Sequence, residues 1–220
     1  MAKFQQGING PFSGKIGNII GSSWRGIHYM KSVSEKSTKE RSPKQLENQH
    51  EFAIAHHWLS PLTDYVREGF RHPSKPNRGF IAAKSYLLKH ALVRKGYDSY
   101  IIPSKMLVSK GSLPQAANLS MSYDAPASEI DIRWNPVKTD NPADQRRASF
   151  NDQAMYLAYN IETGDVFGEV YSVLRVTGHC RIVLPHNKKA RYHVYVAFHA
   201  ADRKDQSDSC YLGEVEINRK

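Results

Sequence analysis

Ile130-Asp131-Ile132-Arg133-Trp134-Asn135 alternates apolar and polar residues without a break. A strand with one buried face needs this period of two, because successive side chains point to opposite sides of a sheet. Tyr192, Val194, Val196 and Phe198 alternate in the same way with His193, Tyr195, Ala197 and His199. Working outward, similar runs at 106–112, 118–123, 129–135, 153–160, 166–176, 179–184, 192–200 and 210–217 predict about eight short strands separated by turn residues. Residues 101–220 are therefore expected to form an antiparallel β-sandwich.

Upstream the period changes. Ser42-Pro43-Lys44-Gln45 is a helix start, with a capping serine, proline at the first helical position and a glutamine that completes a capping box. Leu46, Phe52, Ala53, Ile54, Ala55, Trp58 and Leu59 follow at helical spacing. Ser60-Pro61 kinks this helix or starts a second, with Ser60 as its cap, and Leu62, Tyr65, Val66 and Phe70 continue the apolar face. A further helix is expected over 78–94, with Phe80, Ile81, Leu87, Leu88, Ala91 and Leu92 inward, Lys84 and Lys89 outward, and Gly96 as its stop. Residues 34–41 contain no apolar side chain and predict an exposed linker.

Before the linker, residues 14–33 are glycine-punctuated and predict a β-hairpin, two short strands around a small-residue turn. Ile27, Tyr29, Lys31 and Val33 share one side of its second strand; His28, Met30 and Ser32 share the other. A lone two-stranded hairpin is marginal in water, so this one needs a surface to pack on. The predicted organisation is α+β: a glycine-rich hairpin over 1–33, a linker and helical unit over 34–100, and the sandwich over 101–220.

Composition narrows the function classes. Of the 220 residues 40% are hydrophobic and 24% charged, the balance of a globular protein rather than a disordered one. No apolar run approaches the ~18–20 residues of a membrane helix, so no membrane span is expected. Residues 1–7 lack the apolar core of a classical signal peptide, which predicts cytoplasmic synthesis, with incorporation into a particle or non-classical export open. The net charge of +10 is uneven: residues 1–100 hold 16 Lys/Arg against 7 Asp/Glu, and residues 101–220 hold 15 against 14. The first half therefore suits an anionic partner, although a solvated basic surface has the same composition.

Chemistry-bearing patterns are sparse. Gly10-Pro11-Phe12-Ser13-Gly14-Lys15 has three residues between its glycines where a phosphate loop has four, and Ile16 follows the lysine instead of Ser or Thr. His50 and His57 share a helical face, but His-x-x-x-His spacing is absent. His179 and Cys180 are adjacent on a strand and point to opposite faces, which separates thiol from imidazole. Two cysteines build neither a disulfide framework nor an all-cysteine zinc site. Neither metal, cofactor nor small-molecule substrate is expected. Trp24, Trp58 and Trp134 read as one anchor each for hairpin, helices and sandwich, with exposure as a contact residue the alternative for Trp24.

Two resemblances add to this reading. Ile130 to Pro136, with its tryptophan and proline, resembles an early strand of immunoglobulin/fibronectin type III-like domains, and Leu184-Pro185 followed by 192–197 is similar to their E–F corner and sixth strand. That resemblance implies that Tyr192 is a corner tyrosine whose hydroxyl ties the turn to backbone. The chain as a whole resembles an uncharacterised domain-of-unknown-function family common in Bacteroidetes. The resemblance rests on Gly14-Lys15-Ile16-Gly17-Asn18-Ile19-Ile20-Gly21-Ser22-Ser23-Trp24-Arg25-Gly26, on Ser42, Gln45 and Phe52, on residues 107–114 and on residues 207–213. It implies shared architecture and carries no activity.

The expected function is that of a non-enzymatic structural or interaction protein, a subunit of a larger assembly such as a virion-like particle, tail or filament. Its partners would be copies of itself or another protein subunit, met through Trp24, Arg25, Ile27, Tyr29 and Lys31. The alternative is a nucleic-acid-binding module that uses Lys15, Arg25, Lys36, Lys39, Arg41, Lys44, Lys84 and Lys89. A carbohydrate-binding sandwich is a third reading, and an enzyme the last.

Overall fold

Strand formation follows the alternating pattern through most of the chain. The computed structural model describes residues 3–4, 10–24, 26–35, 40–72, 78–139, 148–185 and 189–217. It divides into two units, Met1–Ser42 and Pro43–Lys220.

The first unit holds an antiparallel sheet of β1 (Lys3–Phe4), β2 (Phe12–Ile16), β3 (Ile19–Trp24) and β4 (Ile27–Ser32), in that spatial order. The expected two-stranded hairpin is thus a four-stranded meander. The small residues Gly21, Ser22 and Ser23 lie inside β3 and pair with Met30, Tyr29 and His28. The reversals fall instead at Gly17 (φ +54°) and Gly26 (φ +82°), where left-handed backbone suits a tight hairpin turn. Gly21 is small because the ring and carbonyl of Phe12 occupy the space where a Cβ would stand.

The second unit opens with α1 (Pro43–Leu59), which starts at the predicted proline. Ser60 does not cap the next helix through its side chain. Its carbonyl accepts from the Thr63 N–H and hydroxyl, and α2 (Thr63–Gly69) begins after that turn. The next helix, α3 (Gly79–His90), is shorter than the expected 78–94. It is followed by the short antiparallel pair β5 (Leu92–Val93) and β6 (Tyr100–Ile101).

Seven strands follow: β7 (Ala116–Asp124), β8 (Glu129–Thr139), β9 (Gln153–Tyr159), β10 (Val166–Leu174), β11 (His179–Val183), β12 (Ala190–His199) and β13 (Cys210–Ile217). They form a four-stranded sheet, β10-β9-β12-β13, and a three-stranded sheet, β11-β8-β7, both antiparallel. The strand expected at 106–112 is absent. Its backbone is satisfied by other means: the Val108 N–H bonds Ser209 Oγ at 2.9 Å, the Lys110 N–H bonds the Gly69 carbonyl at 2.8 Å, and Gln206 Nε2 bonds the Lys110 carbonyl at 2.8 Å. Side chains and a helix-end carbonyl replace a ladder.

The helical segment is not set apart from the sheets at residue 100. Met155, Leu157 and Tyr159 of β9 and Tyr195 and Ala197 of β12 pack into one buried cluster with Ala55, Trp58, Leu59, Val66, Ala83 and Leu87 of the helices. The opposite faces of the same strands, with Tyr156, Val194, Val196 and Phe198, share a second cluster with Ile130, Ile132 and Trp134 of β8 and Cys180 and Ile182 of β11. Tyrosine hydroxyls tie the layers together: Tyr159 donates to the Trp58 carbonyl at 3.0 Å, Tyr195 to the Pro103 carbonyl at 2.8 Å and Tyr65 to the Gly168 carbonyl at 2.8 Å. Tyr192 is buried edge-on against Phe167, and among the described residues its hydroxyl makes no backbone bond of the kind a corner tyrosine makes.

Candidate interaction surface

Register places the candidate partner-binding residues on the amino-terminal sheet. Lys15 pairs with Ile20, and Ile20 with Lys31, so both lysines stand in one row across β2, β3 and β4. The next rows toward the β3–β4 turn are Ser22–Tyr29 and Trp24–Ile27. Cross-strand partners share a face, so Lys15, Lys31, Tyr29, Trp24 and Ile27 lie together. Trp24 is 58% exposed and Ile27 65%. The burial expected of Trp24 as an anchor of its hairpin is therefore not found; the residue is mostly exposed. Arg25, Lys36 and Lys39 lie outside the described residues.

The opposite face carries Ile16, Ile19 and Met30, the last 70% exposed. The sequence reading named none of these as contact residues, although the alternation that puts Met30 opposite Tyr29 was the signal that finds them. Among the described residues of this unit only Gly21 is buried. β4 is the last strand of its sheet, and one side of its backbone makes no ladder among the described residues. Such an edge can accept an added strand.

The remaining basic candidates belong to the second unit or its boundary. Lys44 lies in the first turn of α1 and Lys89 in the last turn of α3, both exposed, and Arg41 is exposed just before α1. Lys84, expected to point outward, is half-buried. Its Nζ donates to His56 Nδ1 at 2.9 Å and sits 4.1 Å from the centre of the Phe52 ring.

Burial shifts several other groups that could carry chemistry. Burial, with the Asp131 carboxylate nearby, pushes the Cys180 thiol far up, so little thiolate exists at neutral pH. Burial pulls His199 down to about 4, although the Glu68 carboxylate opposes the fall. Tyr171, edge-on to His199 at 5.2 Å, donates to Glu68 Oε2 at 2.6 Å, and burial and that bond both push its hydroxyl up. Neither ring exchanges a proton near neutrality. Asp152 is raised by burial against the pull of the Ser149 N–H and of Arg175, whose Nη1 lies 3.7 Å away. His50 and His57 share a wall of an open, mostly apolar cavity of about 500 Å³ with Trp58 and Tyr100, and His50 Nε2 bonds the Tyr97 carbonyl at 3.0 Å.

The model of a family of unknown function (DUF6266) matches residues 11–213. The chain belongs to this family. The DUF6266 match begins one residue before β2 and ends within β13, so it reaches into both units and takes in β2, β3 and β4 of the exposed sheet. No curated protein and no solved structure matches the chain. Among the described residues, no helix is long and apolar enough to cross a membrane.

Proposed function

We propose that this DUF6266 chain is a non-enzymatic structural or interaction protein, a subunit of a larger assembly such as a virion-like particle, tail or filament, and that its amino-terminal sheet is the docking element. One observation carries the reading: Trp24, Ile27 and Met30 stand exposed on a small sheet whose single buried residue, among those described, is Gly21. Apolar surface left in water on both faces is stabilised by covering it, at roughly 25 cal/mol per Å². The partner is a copy of the chain or another protein subunit that covers one face or adds a strand to β4.

The second unit is then the displayed module. Its strands divide as first, second and fifth against third, fourth, sixth and seventh, which looks like a fibronectin type III grouping. The burial of Trp134, edge-on to Phe198 at 5.3 Å, supports that reading, since such domains carry a core tryptophan. The glycine-punctuated residues 14–26 lie inside the family match, and we read them as the family's shared motif, with the Bacteroidetes lineage resting on the same resemblance.

Nucleic acid is the second reading, favoured by the Lys15–Lys31 row beside the exposed rings of Trp24 and Tyr29, since bases stack on aromatics between phosphate-binding cations. Light scattering on the full chain and on residues 43–220 separates these readings. The assembly reading expects higher-order species for the full chain, lost on truncation and reduced by Ile27→Lys. A full chain that stays monomeric at high concentration while retaining oligonucleotides with steep salt dependence replaces it with the nucleic-acid reading. A monomer that retains none overturns both.

A further inference from the structure

Helices α1 and α3 leave a groove of about 250 Å³ lined by Phe52, Phe80, Ile81, Lys84, Ser85 and Leu88. On α3, residues 81, 84, 85 and 88 fall on one face by their spacing of three and four. Phe52, 53% exposed, and Ile81, 64% exposed, are open to solvent, although Ile81 is expected inward from the sequence. Lys84 is the one charged residue in the lining. Its Nζ lies 4.1 Å from the Phe52 ring centre and 5.2 Å from that of Phe80. Among the described residues no carboxylate pairs with it; Glu51, the acid next to Phe52 in α1, is bound to Arg94 at 3.1 Å. Burial accordingly lowers the Lys84 pKa.

We propose that this groove is a second docking site, independent of the amino-terminal sheet, and that it seats one large apolar side chain from an acidic segment of a partner protein whose carboxylate pairs with Lys84. Three features select that occupant. The volume lies below the ~300–1,000 Å³ of small-molecule sites and suits a single anchoring side chain. A single cation bonded to His56 Nδ1 and to no carboxylate, set among aromatic and aliphatic walls, is complementary to one carboxylate beside an apolar group, whereas a nucleic acid strand needs a row of cations. A two-fold pairing of the groove with itself would bring two Lys84 ammonium groups together, which disfavours a second copy.

The test is an amide and side-chain NMR titration of the full chain with two end-blocked helical peptides. One carries Phe and Glu four residues apart, and the other has Gln in place of Glu. The expected result is saturable shifts at Phe52, Ile81 and Lys84, about tenfold weaker for the Gln peptide. Lys84→Met, which keeps the aliphatic stem, should abolish that difference, and Phe52→Ala should weaken both peptides alike. Equal binding of the two peptides, or no saturable shift at millimolar peptide, overturns the proposal. So does saturation by 3-phenylpropionate without saturation by the Glu peptide, which would make the groove a small-molecule site.

Discussion

His199 is buried beside Tyr171 and the Glu68 backbone. Burial holds its pKa to about 4, whereas an unfolded histidine takes up its proton near pH ~6.5. Between those values the unfolded chain binds more protons, so stability rises with pH across the window. It is lost as the pH falls from ~6.5 to ~4, by on the order of 3 kcal/mol in all. His199→Phe should flatten that part of the profile, read as the difference in urea midpoint between variant and parent at each pH. An unchanged slope refutes a buried neutral imidazole. Sequence placed this residue on the face of its strand shared with Tyr195 and Ala197, but not what covers that face, because α2 supplies Glu68 from more than a hundred residues upstream.

At the scale of elements, the meander of the first unit depends on close approach between β2 and β3. Gly14 pairs with Gly21, and the Phe12 ring lies where a Gly21 side chain would project. Gly21→Val should therefore displace Phe12 and open the sheet. Amide exchange should speed up across 12–32 while residues 43–220 keep their protection. Unaltered protection in β2 and β3 would show that the packing of Phe12 contributes nothing. The glycine pattern signalled tight backbone geometry, and this was legible from residue type. Which glycines turn and which lie within a strand was not, since Gly17, Gly21 and Gly26 look alike until the pairing partners are known. The segment 106–112 failed as a strand for a related reason. Its apolar start, Met106-Leu107-Val108, is compatible with a strand, but its hydrogen-bond partners come from residues around 69 and 205–209.

Across the whole molecule, β9 and β12 are buried on both faces, toward the helices on one and toward β8 and β11 on the other. Removing the helices would expose Met155, Leu157 and Tyr195 to water, so residues 43–220 should unfold as one cooperative body. Far-ultraviolet and tryptophan-fluorescence transitions in guanidinium are expected to coincide, with Trp58 reporting on the helical layer and Trp134 on the sheets. A resolved early loss of helix would restore the separate helical unit that the sequence pattern suggested. The two tryptophans stand on opposite sides of the same four-stranded sheet, Trp58 edge-on to Tyr159 at 5.2 Å and Trp134 to Phe198 at 5.3 Å.

Period and punctuation by themselves determined the α+β class, the start of α1 at Pro43 and seven of the strand positions, because backbone geometry imposes periods of 2 and 3.6 on any side chain that must be buried. They also identified Ile27, Tyr29 and Lys31 as one facing set apart from Met30; that Trp24 joins them follows from the β3–β4 register. What covers each face was decided only by tertiary structure. Trp24 and Trp134 are the same residue type on comparable strands, yet one is in solvent and the other in the core. Burial belongs to the neighbours that distant segments deliver, and a local pattern records a side chain's direction without recording what waits there.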